Sequence, residues 1–192
     1  MSIFEYIAIA LAFSIESMTV MRTQAEKTRI PLTQGVGIAV LFAIAYALMM
    51  LAGLRIGNIL RFEDTITPNA YATANTLVYV GLSVLLAIKI IAQTLKKKGS
   101  SATYDISRWP TVIALALASS IDALILGLGI GFLPQTDSDI LKATIPLLIG
   151  IFLLSYLGIM FGRQATPLRQ RRWHILSVLL LLSIAIYRII AL

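Results

Sequence analysis

Six long apolar stretches occupy most of this 192-residue sequence, and no other feature limits its fold as strongly. A membrane-spanning helix needs about 20 mostly apolar residues. A membrane β-barrel would instead show strands of about ten residues with alternating polarity. The apolar runs are continuous, so they predict an all-α membrane protein with six transmembrane helices. The predicted spans are Ile3–Met21, Leu32–Leu54, Tyr71–Leu95, Pro110–Leu133, Ile140–Phe161 and Trp173–Leu192.

The composition excludes an ordinary soluble domain. Hydrophobic residues make up 58% of the chain and charged residues 13%, whereas soluble domains are about 45–50% apolar and about 25% charged. The short loops leave no room for a separate soluble domain, so we expect a single membrane domain over residues 1–192. The chain has no cysteine, which excludes disulfides, thiolate metal ligands and cysteine nucleophiles.

The net charge of +7 comes from the loops between the spans. Cytoplasmic loops of membrane proteins are enriched in Lys and Arg. The odd-numbered loops carry eleven of these residues and the even-numbered loops carry three. This bias predicts a multi-pass protein with cytoplasmic odd loops and both termini outside. It also removes the reason to expect a nucleic-acid partner, and leaves the lipid bilayer as the expected environment.

The sequence around Glu16 recurs around Asp122. Residues 11–18 (LAFSIESM) and 117–124 (LASSIDAL) are identical at four of eight positions, at an offset of 106 residues. The two copies lie on spans one and four, so each half of the chain holds three spans. An odd number of spans per repeat orients the halves oppositely, as in the inverted repeats of many secondary transporters. We expect repeat one at 1–95, a cytoplasmic linker at 96–109 and repeat two at 110–192.

Glu16 and Asp122 lie at matching depths in their spans. At about 1.5 Å per residue, both are roughly 18–20 Å into a hydrocarbon core of about 30 Å. A carboxylate inside a spanning helix costs about 2.5–3.5 kcal/mol on insertion scales. Two carboxylates at equal depth therefore predict a cation site or a proton relay. The alternative interpretation is two independent, neutral carboxyl groups that are hydrogen-bonded to neighbouring helices.

Hydroxyl groups near both acids extend the candidate site. Residues three or four apart share a helix face, so Thr19 accompanies Glu16, and Ser119 accompanies Asp122. Nearby serines either complete an oxygen shell or tighten helix packing. Oxygen ligands without Cys or a nearby His suit hard cations such as Mg²⁺, Ca²⁺ or Mn²⁺. The candidate metal ligands are Glu16, Asp122, Ser119, Thr19, Ser14 and Ser120.

Other residues inside the spans have weaker interpretations. Three glycine pairs spaced four apart predict close helix packing and offer faces for an oligomer contact: Gly53/Gly57, Gly127/Gly131 and Gly158/Gly162. Lys89 and Arg188 lie near span ends and are expected to extend towards the headgroups, which leaves no basic residue deep in a span. The candidate pathway residues are Tyr46, Gln93 and Asn75.

The motifs resemble those of the MntP-type manganese efflux pump family, small six-helix proteins of bacterial inner membranes. Residues 118–124 (ASSIDAL), followed by Gly127 and Gly129, are similar to the fourth-helix motif Ala-Thr-Ser-Ile-Asp-Ala. Residues 14–17 (SIES) are similar to the first-helix Ser-Met-Asp-Ala, and residues 155–163 (SYLGIMFGR) to a Leu-Gly-x-x-x-Gly-Arg segment. Tyr46 stands where the family has Gln or Glu, and Gln93 where it has Glu, so the chain resembles a divergent member.

The resemblance implies secondary-active export of a divalent cation, Mn²⁺ above all, across the bacterial inner membrane. It implies a transporter rather than an enzyme, with the metal as transported substrate and no permanently bound cofactor. The alternative is export of another cation or an amino acid, as in the wider lysine-exporter-like group; an amino-acid site would need a cationic partner for the substrate carboxylate. An intramembrane protease would need a Gly-x-Gly-Asp motif, but Phe132 follows Gly131. A scaffold would leave the buried acids unexplained.

Overall fold

The computed structural model describes residues 3–25, 31–61, 68–96, 104, 106–134, 137–162, 176, 178–184 and 186–187. This part of the chain is helical apart from short connections and turns, which confirms the all-α fold class. A sixth helix, α6, is described over residues 178–184. The five helices with defined bounds are α1 (Ile3–Ala25), α2 (Leu32–Leu60), α3 (Pro68–Lys96), α4 (Trp109–Gly131) and α5 (Asp137–Phe161).

Each of these five helices is long and apolar enough to cross a membrane. The shortest has 23 residues, or about 35 Å at about 1.5 Å per residue, against a core of about 30 Å. The five predicted starts agree with the structure within three residues. The helices α1 and α2 continue beyond their predicted ends, through Arg22 and Arg55, because backbone hydrogen bonds continue after the apolar run has stopped. Half of the predicted sixth span, Trp173–Leu192, lies outside the described residues.

The helices α2 and α4 pack against each other through glycines. A side chain at Gly53 would run into the carbonyl oxygen of Leu124, and one at Gly57 into the carbonyl oxygen of Leu128. From Gly53 to Gly57 along α2, the contact moves from Leu124 to Leu128 along α4. The two helices therefore run parallel. The glycines at this contact are Gly53, Gly57, Gly127 and Gly131.

The helices α1 and α5 pack in the same manner. A Cβ at Gly158 would lie 2.6 Å from the carbonyl oxygen of Met18, and one at Gly162 would lie 3.1 Å from that of Arg22. The close packing predicted for the three glycine pairs is therefore confirmed. These glycine faces are buried within one chain, so an oligomer contact would have to use other surfaces.

The outside of the bundle is apolar, as expected of a protein solvated by lipid. Phe4, Leu48, Ile59 and Leu85 are among the large apolar side chains on this surface. The interior contains aromatic side chains that are almost completely buried: Tyr6, Phe13, Phe42, Tyr46 and Tyr79.

The described part of the linker lies against the ends of α1 and α2. The backbone N–H of Tyr104 donates to Oε1 of Gln24 at 2.8 Å, and Nε2 of Gln34 donates to the carbonyl oxygen of Ser107 at 2.9 Å. The side chain of Ile106 is completely buried in the main core. The segment from Tyr104 to Trp109 is thus tied to the first two helices.

Candidate cation site

Glu16 lies in the bundle interior, in the middle of α1. It is the fourteenth residue of a 23-residue helix, and it is 6% exposed. It interacts electrostatically with the phenol group of Tyr46 on α2. The helix α1 is continuous through this position, so the direction of the carboxylate follows from its place on the helix.

Asp122 has the same position within α4. It is also the fourteenth residue of a 23-residue helix, and it is 3% exposed. Its Oδ1 atom forms an ion pair with the ammonium group of Lys89 on α3. The matching depth predicted for the two acids agrees with their equal positions in α1 and α4.

Tyr46 links the two acids across the helices. Its phenol interacts electrostatically with both Glu16 and Asp122, and the hydroxyl of Ser119 lies beside it. The ring is completely buried, and Phe13 packs edge-on against it with a centroid distance of 6.1 Å. Within the described residues, no hydrogen bond of ordinary geometry satisfies the phenol oxygen.

An unsatisfied buried hydroxyl carries a desolvation cost of about 1–3 kcal/mol, so it calls for an explanation. Phe at position 46 would fill the same space without that cost. The phenol oxygen of Tyr46 interacts with Ser119 and, electrostatically, with both carboxylates, and its remaining lone pair can serve a bound ligand. Tyr46 was predicted as a pathway residue from its polarity, and in the structure its phenol interacts electrostatically with both acids.

Thr19 and Ser119 are oriented by hydrogen bonds to their own helices. Oγ1 of Thr19 donates to the carbonyl oxygen of Ile15 at 2.5 Å, and Oγ of Ser119 donates to that of Leu115 at 2.8 Å. Such bonds use the proton of the hydroxyl and leave its oxygen lone pairs available. Both oxygens can therefore still bind a cation.

Ser14 and Ser120 have contacts typical of helix packing. Oγ of Ser14 donates to the carbonyl oxygen of Ala10 at 2.6 Å and lies against Gly150 of α5. Oγ of Ser120 donates to the carbonyl oxygen of Leu117 at 3.0 Å. Of the two interpretations of these serines, the contacts of Ser14 favour packing of α1 against α5.

Asn75 lies far from the ion pair along α3. It is buried, and 14 residues separate it from Lys89, which corresponds to about 21 Å along a helix. Gln93 belongs to α3, but its side chain lies outside the described residues. Neither residue is therefore placed beside the acids.

The structure adds two features that the sequence patterns did not suggest. Lys89 does not end in the headgroup region as expected but pairs with Asp122, because an opposite charge in a low-dielectric interior attracts the ammonium strongly. Lys89 does lie near the end of its span, but its ammonium reaches a carboxylate inside the membrane instead of the headgroups. The second feature is a hydrogen bond between the hydroxyls of Ser17 and Ser155, which joins α1 to α5 one residue from Glu16.

The assembled groups suit a hard cation. The described residues contain no cluster of three or more His, Cys, Asp or Glu side chains. A site here would therefore combine two carboxylates with neutral oxygens, which are ligands favoured by Mg²⁺, Ca²⁺ and Mn²⁺. The ammonium of Lys89 is paired with Asp122.

Comparisons with known proteins agree with this chemistry. The sequence profile of a family described as "Putative manganese efflux pump" matches residues 29–189. The "Putative manganese efflux pump MntP" of Crocosphaera subtropica is 31% identical over 181 residues, which cover 92% of this chain and 86% of the relative. "MntP 2" of Clostridium botulinum strain Langeland is 28% identical over 201 residues, which cover 97% and 94%. No solved structure matches the chain.

Proposed function

This chain belongs to the manganese efflux pump family, and we propose that it exports a divalent metal cation, Mn²⁺ above all, by a secondary-active mechanism. The family is one of transporters rather than enzymes. The proposed substrate is the metal ion itself, and no permanently bound cofactor is needed.

One observation carries the proposal: the carboxylates of Glu16 and Asp122, buried on two different helices, both interact electrostatically with the buried phenol of Tyr46. Burying two carboxylates is costly unless a cation neutralises them. A divalent cation does so with one ion. Thr19 and Ser119 add neutral oxygens on the same helix faces as the acids.

The glycine contacts support two inverted repeats as the frame of the transporter. Gly53 of α2 abuts the carbonyl oxygen of Leu124, and Gly158 of α5 abuts that of Met18. The two glycines are 105 residues apart and the two carbonyls are 106 apart. One turn further on, Gly57 abuts the carbonyl oxygen of Leu128, and Gly162 abuts that of Arg22. These glycines and carbonyls are again 105 and 106 residues apart. The pair α1–α5 is thus the counterpart of the pair α2–α4.

This arrangement suggests how access could alternate between the two sides. Backbone contact at the glycines holds each helix pair together as a unit. Glu16 belongs to the α1–α5 unit, whereas Asp122 and Tyr46 belong to the α2–α4 unit. Rocking of one unit against the other then opens the space between the carboxylates to one side of the membrane at a time. A proton gradient or the membrane potential is the proposed driving force.

The proposed location is the bacterial inner membrane, with six spans and both termini outside. The concentration of Lys and Arg in the odd-numbered loops supports a cytoplasmic position for these loops. The linker, which the structure ties to α1 and α2, would then lie on the cytoplasmic side.

The test is the manganese content of an exporter-deficient bacterium that expresses the chain and is challenged with Mn²⁺. We expect the wild type to lower cellular manganese. Glu16→Gln and Asp122→Asn should not lower it, although both variants reach the membrane in normal amounts. The matched control is Asp139→Asn, because Asp139 pairs with Lys142 at 3.5 Å at the start of α5, away from the site.

Normal export by both site variants would rule out the carboxylate site. A wild type that reaches the membrane and leaves manganese unchanged would rule out Mn²⁺ as the substrate. Other divalent cations would be tested next, and then amino acids.

A further inference from the structure

The ion pair between Lys89 and Asp122 joins a partly exposed cation to a buried anion. The side chain of Lys89 is 40% exposed, and that of Asp122 is 4% exposed. The ammonium contacts Oδ1 of a carboxylate that also interacts with Tyr46. The same carboxylate therefore serves an internal cation and, under the proposed function, a transported one.

We propose that the ammonium of Lys89 is a tethered cation that occupies Asp122 in the empty transporter and leaves it when the substrate cation binds. This inference rests on the proposed function, because it identifies the residue that competes with the transported metal.

Charge is the first argument for displacement. A metal ion bound at Asp122 and the ammonium of Lys89 would be two cations at one carboxylate. Like charges repel each other strongly in a low-dielectric interior. Net charge in such an interior is costly, so binding of the metal and departure of the ammonium favour each other.

The position of Lys89 provides a route for this departure. Lys89 lies seven residues before the end of α3 at Lys96, or about 10 Å along the helix. Lysine has a long, flexible stem that lies along apolar surface while its charge reaches the headgroups. The side chain is 40% exposed, so the core does not enclose it on every side.

Displacement would serve transport in two ways. Competition from a tethered cation weakens binding of the metal, so the metal can be released on the far side. After release, the ammonium returns to Asp122 and reduces the charge of the empty site. The empty transporter can then reset with Asp122 neutralised by Lys89.

The first test is Mn²⁺ binding to the purified full-length protein in detergent, measured by equilibrium dialysis. Coupling between two ligands typically changes affinity by about 5–150-fold, so Lys89→Gln should bind Mn²⁺ at least about fivefold more tightly. Lys89→Arg should bind it no more tightly than the wild type, because a guanidinium pairs with a carboxylate at least as well. Efflux by Lys89→Gln should slow even at saturating Mn²⁺, because release is delayed.

The matched control is Lys142→Gln, because Lys142 pairs with Asp139 at 3.5 Å on an exposed part of α5. Its Mn²⁺ affinity should equal that of the wild type. A purely structural role for Lys89 predicts the opposite pattern, in which Lys89→Gln loosens the α3–α4 contact and binds Mn²⁺ less tightly.

The second test uses the wild-type protein and does not depend on how a variant folds. Reductive methylation of lysine amines, followed by mass spectrometry, reports how free each ammonium is. Saturating Mn²⁺ should increase labelling of Lys89 and leave that of Lys142 unchanged.

The outcomes separate this inference from the proposed function. If the wild type binds and exports Mn²⁺ but Lys89→Gln binds it equally or less tightly, the inference is overturned and the function stands. Labelling of Lys89 that stays constant or falls with Mn²⁺ overturns the inference as well. A folded wild type that neither binds nor exports Mn²⁺ overturns both.

Discussion

The backbone of Gly53 in α2 lies directly against the carbonyl oxygen of Leu124 in α4, two residues after the buried carboxylate of Asp122. This contact sets the separation of the helices that carry Tyr46 and Asp122. The spacing at the site thus depends on a glycine seven residues from Tyr46.

The first prediction concerns this contact. Gly53→Ala puts a Cβ onto the backbone of α4, and overpacking of this kind typically costs about 1–3 kcal/mol. We expect a lower thermal stability in detergent and a loss of manganese efflux. The control is Gly81→Ala, because a Cβ at Gly81 meets nothing within 4 Å; this variant should keep both properties. If Gly53→Ala and Gly81→Ala have the same thermal stability and the same manganese efflux, the close contact of Gly53 with α4 is contradicted.

The second prediction isolates the phenol oxygen of Tyr46. Tyr46→Phe keeps the ring and its edge contact with Phe13 and removes an oxygen that lacks a hydrogen bond within the described residues. The free energy of unfolding should therefore stay the same or rise, by up to about 1–3 kcal/mol, while Mn²⁺ affinity falls by about tenfold. Dialysis and thermal unfolding measure the two quantities. Tyr187→Phe, at an exposed position, is the control. Unchanged Mn²⁺ affinity in Tyr46→Phe would exclude the phenol as a ligand.

The third prediction separates ligand hydroxyls from packing hydroxyls. Ser119 lies beside Tyr46, so Ser119→Ala should weaken Mn²⁺ binding by about 2–10-fold, the value of one ordinary polar contact. Ser14 lies against Gly150 of α5, so Ser14→Ala should affect stability and leave Mn²⁺ affinity unchanged. Equilibrium dialysis measures the Mn²⁺ affinity of both variants. If Ser14→Ala weakens Mn²⁺ binding and Ser119→Ala does not, Ser14 is the ligand and Ser119 the packing residue.

The fourth prediction tests the orientation in the membrane, and the absence of cysteine in the chain makes it a direct experiment. Pro134 follows α4 and Tyr104 belongs to the linker, and both side chains are exposed. In intact spheroplasts, a membrane-impermeant maleimide should label Pro134→Cys and should label Tyr104→Cys only after lysis. The opposite labelling pattern would invert the topology.

Much of the fold could be predicted because its causes are local in sequence. An apolar run of about 20 residues specifies a spanning helix wherever it occurs, so the starts of five helices agree with the structure within three residues. The repeated motif also indicated that Glu16 and Asp122 have equal depths, because depth within a helix follows from residue number. The glycine pairs were correctly interpreted as packing faces, since only a residue without a side chain allows such close approach.

The candidate site depended on contacts that the sequence does not encode locally. Lys89 is near the end of its apolar stretch, and only the packing of α3 on α4 brings its ammonium to Asp122. Tyr46 is one polar residue among several within the spans until the parallel packing of α2 and α4 places it beside Ser119. Hydrophobicity and helical period specify which residues enter the membrane and at what depth. Which of their faces meet is settled only by close packing between helices far apart in the chain.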